Sequence, residues 1–171
     1  MVEVRDDGDV FVLDPHTGVL GPATPPAYGP ADEVDHVTFQ TSCRARRAAL
    51  LREMADRLRS ATTADEPDLR SVLGIPLEPP PLGAVSYRFG GPPIPVFELT
   101  LPEGVLERSD VEQVFGEGEW VPLMPYGDHK LAFYVPADRT PWKVALFASF
   151  HVQPEASTPV KSLLLRLDPA H

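Results

Sequence analysis

Between residues 43 and 60 apolar side chains recur at steps of three and four. Leu51, Met54, Leu58 and Ala61 form a stripe, and Ala48, Leu50 and Ala55 widen it. That spacing predicts an amphipathic helix, with Thr41 or Ser42 placed to cap its start. Glu53 and Asp56 fall on the opposite face, where Glu53 can pair with Arg57 and Asp56 with Arg52 or Arg59. A second, shorter helix is expected at 67–73, with Pro67 in its first turn and Gly74 as its stop. The pattern then changes to period two. Residues 84–89 and 94–101 read as strands joined through Gly90-Gly91-Pro92-Pro93, and Pro95 marks a sheet edge or a strand end.

Ser109 and Glu112 have the spacing of a capping box, which predicts a short helix at 109–115 ended by Gly116. Three further strands follow at about 129–135, 142–152 and 160–167, and another is expected near Trp120–Met124. Short breaks between such strands favour an antiparallel meander. The 142–152 strand is apolar on both faces, with Val144, Leu146 and Phe150 on one and Ala145 and Phe147 on the other. It should therefore be central and covered on both sides. At the other end of the chain, residues 2–13 alternate around an Asp/Gly turn and read as a hairpin. The Gly- and Pro-rich stretch that follows, up to residue 31, reads as a loop.

Together these segments predict an α+β fold. One main amphipathic helix and shorter helices pack on a mostly antiparallel sheet that ends in a C-terminal β-meander. The length of 171 residues fits a single domain, 1–171. Within it lie the N-terminal hairpin and loop (1–31), a helical region (43–73) and a mostly β region (84–167). The short capped helix followed by a meander, about 109–167, is similar to a half-repeat of β-lactamase-inhibitor-like domains. That resemblance covers about a third of the chain and carries no functional residue across.

Composition alters this picture in two places. Proline accounts for 21 residues, about 12% against a usual value near 5%, so ordered turns and extended connections should be numerous. The net charge of −10 disfavours nucleic acid and anionic membrane as partners and suits a basic protein surface. The opening MVEVRDDGDV has neither the basic nor the apolar run of a signal peptide, and one cysteine allows no internal disulfide. A cytoplasmic location is expected. Twelve of the fifteen basic residues are Arg, a preference that points to a GC-rich bacterial genome.

Chemistry is sparse. The sequence has no phosphate-binding loop, dinucleotide fingerprint, HExxH helix, GxSxG elbow or CxxC pair. The five histidines, at 16, 36, 129, 151 and 171, are never three or four apart, so neither a metal centre nor a cofactor is expected. The catalytic candidates are Cys43, Asp128, His129 and His151. Cys43 is expected at a helix N-terminus beside three arginines, where a thiolate is favoured, with His36 as the nearby base. Asp128, His129 and His151 converge if the meander sets the start of one strand beside the end of the next.

The binding candidates are Arg44, Arg46 and Arg47, together with Tyr134 and Trp142. The three arginines oppose the dipole of a helix that starts near residue 43. They need either the acidic run Asp32, Glu33 and Asp35 or an external anion. Tyr134 and Trp142 are the late aromatics expected to face outward; Arg88 is a further polar candidate. The leading expectation is a non-catalytic protein-binding or accessory domain of the immunity, inhibitor or pathway-helper kind. The alternatives are a small cofactor-independent enzyme with a pocket between meander and helices, and an anion-sensing regulatory domain. A small-molecule ligand is compatible with all three.

Overall fold

The computed structural model describes residues 2–4, 10–13, 20–22, 30–122 and 127–170, with side chains for 40–122 and 127–170. The chain forms two compact units, Met1–Gln40 and Thr41–His171. The first contains three short strands, β1 (Val2–Val4), β2 (Val10–Leu13) and β3 (Leu20–Pro22), paired antiparallel in that order. Val2 faces Val12 and Phe11 faces Pro22. The hairpin expected at 2–13 is β1–β2. The stretch expected to be all loop supplies β3, whose Leu-Gly-Pro carries no periodic signal of its own.

Helix α1 (Pro30–Leu58) begins in the first unit and ends in the second. It therefore starts well before the predicted residue 43. Pro30 suits a first helical position, and Asp32 and Glu33 complement the helix dipole in the first turn. Thr41 and Ser42 are interior residues of this helix and not its cap.

In the second unit α1 presents the expected stripe. Ala48, Leu51, Met54, Ala55 and Leu58 are buried. Both predicted ion pairings of its outer face are present: Arg57 reaches Glu53, and Asp56 receives Arg52 at 3.1 Å and Arg59 at 2.8 Å. The chain turns through Ala61–Ala64 into α2 (Glu66–Leu73), capped by the Asp65 side chain and closed by Gly74. Gly74 has φ +58°, the left-handed conformation that favours glycine at this position. The proline-rich connector ends in a single 3-10 turn at Pro81–Gly83, where Pro81 and Leu82 are buried.

The sheet has six antiparallel strands: β4 (Ser86–Gly90), β5 (Val96–Thr100), β6 (Glu119–Trp120), β7 (His129–Val135), β8 (Trp142–Phe150) and β9 (Ser162–Pro169). Their spatial order is β4-β5-β9-β8-β7-β6, so β7, β8 and β9 form the C-terminal meander and β8 is interior, as expected. Helix α3 (Arg108–Phe115) lies between β5 and β6 in the chain. Its capping pair is Glu107 and Asp110, not Ser109 and Glu112. The Asp110 carboxylate accepts the Glu107 backbone N–H at 2.8 Å, and Glu112 is held by Arg108.

Strand side chains alternate between two faces. On one face Phe97, Leu99, Leu131, Phe133, Val135, Val144, Leu146, Phe150, Leu163, Leu165 and Leu167 join the helical stripe in one buried core. Leu69 and Leu73 of α2 and Val111 of α3 complete it. The architecture is α+β, three helices on an antiparallel sheet.

Candidate functional site

The arginines of α1 do not form the site expected of them. Arg44 lies mid-helix, half-buried, with Nη1 donating to Glu107 Oε1 at 3.0 Å. Its Nε is 3.2 Å from Asp110 Oδ2, close enough to pair but not aligned for a hydrogen bond. One cation thus holds both carboxylates of the α3 cap. Arg47 Nη1 donates to the Val105 carbonyl at 3.4 Å. Arg46 is exposed and has no partner among the described residues. Because α1 begins at Pro30, these groups are not at its N-terminus, and Arg44 instead meets the capped start of α3. The same correction applies to Cys43, a half-buried mid-helix thiol without the terminal dipole that would favour its thiolate. The His36 side chain lies outside the described residues.

The meander does bring Asp128 and His151 together. β7 and β8 pair with His129 opposite Phe150, which carries His151 back beside Asp128. Lys161 Nζ donates to Asp128 Oδ2 at 2.8 Å. That bond, reinforced by the positive fields of His151 and Lys130, outweighs burial and holds the Asp128 carboxyl below its ordinary range. His129 does not join them: it shares the strand face of Leu131, Phe133 and Val135. His151 and Lys161 border a concavity of about 280 Å³ with Leu101, Glu103 and Thr158. No three His, Cys, Asp or Glu groups converge as metal ligands among the described residues.

The aromatic candidates divide. Trp142 is half-buried, and its indole N–H donates to the Ala61 carbonyl at 2.9 Å. It ties the sheet to the α1–α2 turn and so faces inward. Tyr134 is 56% exposed, as expected, on the face of the sheet opposite the helices. Trp120 is 52% exposed on β6. It is not among the binding candidates read from the sequence. The available signal was its setting, a short segment between Gly116, Gly118 and Pro122 with no room for alternation.

The second face of β8 is not covered as expected. Ala145 is buried, but Phe147 is only half so, and what lies over its ring is the Arg166 guanidinium at 4.9 Å. Arg166 is in turn held by both oxygens of Asp168, each at 2.9 Å. Among the described residues this face is lined by its own side chains. Arg88, the remaining candidate, is exposed there in an ion pair with Glu98 directly across from it.

No protein-family model matches this sequence, and no curated protein or solved structure matches it. No helix among the described residues is long and apolar enough to cross a membrane.

Proposed function

We propose that the protein is a non-catalytic protein-binding or accessory domain, of the immunity, inhibitor or pathway-helper kind. Its contact surface is the β6–β7 side of the sheet. The observation that carries this reading is the exposure of two large aromatics at that edge, Trp120 in register with the core-facing Leu131 and Tyr134 on the outer face; among the described residues the other exposed large apolar side chains are the aliphatic Val85, Ile94 and Val152. Trp and Tyr supply much of the energy of protein interfaces when they enter a partner's pocket. β6 pairs with β7 only at Leu131 and Ala132, so Phe133–Val135 have no outer strand among the described residues. Such an edge suits an added strand from a partner. The net charge of −10 supports a basic protein partner and weighs against nucleic acid and anionic membrane. The single cysteine supports a cytoplasmic setting.

The test is co-purification from the native host by the tagged parent and by Trp120→Ala and Tyr134→Ala. A stoichiometric partner held by the parent and lost by both variants supports the reading. A partner held equally by all three, or none, removes it.

The concavity at His151 favours a second reading, a small cofactor-independent enzyme. It places an imidazole, an ammonium and a carboxylate at one end of the sheet. Its test is consumption of a metabolite in a cell extract, followed by NMR, by the parent and not by His151→Ala. Equal extracts with and without the parent would remove it.

A further inference from the structure

Two cross-strand rows on the outer face of the sheet differ in kind. In the first, Lys130, Ser149, Ser162, Thr100 and Ser86 stand opposite one another across five strands. In the next, Ala132, Phe147 and Leu164 are apolar neighbours, followed by Glu98 and Arg88. Where the rows meet there is a concavity of about 230 Å³, bordered by Val121 and by Glu98 and Arg166 at its rim.

The charges of the rim are spoken for: Glu98 pairs with Arg88, and Arg166 with Asp168. Lys130 is different. Its ammonium makes no hydrogen bond or ion pair with any described residue, although it lines the concavity. The hydroxyls of Ser149 and Ser162 line it as well, likewise without a partner among the described residues. Ser149 is only 7% exposed. Its hydroxyl nevertheless opens to the concavity, where a ligand can meet it.

We infer that this concavity is a binding site for a small monocarboxylate with an apolar body. The carboxylate accepts hydrogen bonds from Lys130 Nζ and from the Ser149 and Ser162 hydroxyls. The apolar body lies on Leu164 and against the part of the Phe147 ring that Arg166 leaves uncovered. One unpaired cation calls for a single negative charge. The volume lies below the about 300 Å³ at which pockets for drug-sized ligands begin, which sets the size of the acid. The site adjoins the proposed protein-binding surface through Val121 and Lys130 but uses neither Trp120 nor Tyr134.

The test is an NMR titration of the full chain, following backbone amides, with benzoate, its neutral isostere benzamide, and acetate. Benzoate should give saturable shifts centred on Lys130, Phe147, Ser149, Ser162 and Leu164. Benzamide should bind at least ten-fold more weakly for want of charge, and acetate likewise for want of an apolar body. Lys130→Met, an exposed substitution, should weaken benzoate at least ten-fold while leaving amides away from the concavity unmoved. Equal binding of benzoate and benzamide overturns the inference. So does equal binding of benzoate to parent and Lys130→Met, or the absence of any saturable shift.

Discussion

The two faces of the six-stranded sheet are made by the same strands and obey different rules. On the helix-covered face Leu131, Leu146, Leu163 and Leu165 are fully buried within one apolar cluster. On the other face apolar residues are few, and side chains of the sheet itself shield them. Arg166 lies over Phe147, and Ala132 and Ala145 are small enough to be hidden by what surrounds them. The first face holds the fold together. The second can vary in chemistry without threatening it, which is why the exposed Tyr134 and the unpartnered polar groups stand there.

Paired truncations break or sharpen that contrast most strongly. Leu146→Ala removes a side chain with no solvent exposure from the centre of the core and should cost about 2–5 kcal/mol. Leu164→Ala, half-buried on the outer face of the next strand, should cost about 1 kcal/mol, since the site was never dry and can refill with water. Urea denaturation of both variants measures the difference. Equal losses would mean that the outer face is packed as tightly as the inner one.

The helical layer that keeps the inner face dry depends on Arg44, next in size. Arg44→Ala leaves Glu107 and the nearly buried Asp110 without their cation. An uncompensated carboxylate in that setting should lower stability by about 2–3 kcal/mol. The double variant with Asp110→Asn should recover part of the loss, and additive losses would show that the pair is not coupled. At the β6 edge, Gly118→Ala places a methyl group 2.7 and 2.8 Å from Phe133 ring atoms. Overpacking against a core-face ring should cost about 1–3 kcal/mol in the same denaturation assay. Full stability there would mean that the edge moves freely away from the core.

The inner face was legible in the sequence because burial on one side leaves a clean period of two, and a helical stripe leaves one of 3.6. Ala48 to Ala61 and the β7–β9 alternation needed no tertiary information. The outer face was not legible. An apolar Phe147 reads the same whether a helix covers it or a guanidinium from the neighbouring strand, and the register that brings Arg166 there is a long-range property. The two misplaced helix starts share a cause. Thr41-Ser42 and Ser109/Glu112 are locally good caps, but local rules do not see competing partners. Arg44, remote in sequence, stabilises Glu107 and Asp110 as the cap of α3, and Pro30 with its acidic first turn starts α1 earlier. Of the candidate site, the approach of Asp128 and His151 followed from antiparallel pairing. The unpartnered Lys130, Ser149 and Ser162 did not, because a missing partner is visible only once all neighbours are placed.

The smallest expected effect concerns the turn that joins α1 to α2, where the covering layer relies on one charge. The Asp68 carboxylate accepts backbone N–H groups from Thr62, Thr63 and Ala64 at 2.6, 2.7 and 2.9 Å. Burial alone would raise its pKa. The three donors outweigh burial and bring it below the ordinary value. The folded chain therefore binds this proton less readily than the unfolded chain does. The resulting stability is fully present above the ordinary carboxylate range and is lost as pH falls through that range toward the lower folded value. Asp68→Asn keeps the shape and one acceptor but no charge. At pH 7 it should lower stability by less than about 1 kcal/mol, and the gap between variant and parent should close in urea titrations repeated at about pH 3. A gap of the same size at both pH values would mean that the turn responds to side-chain shape alone, and that the contrast between the two faces owes nothing to the charge at Asp68.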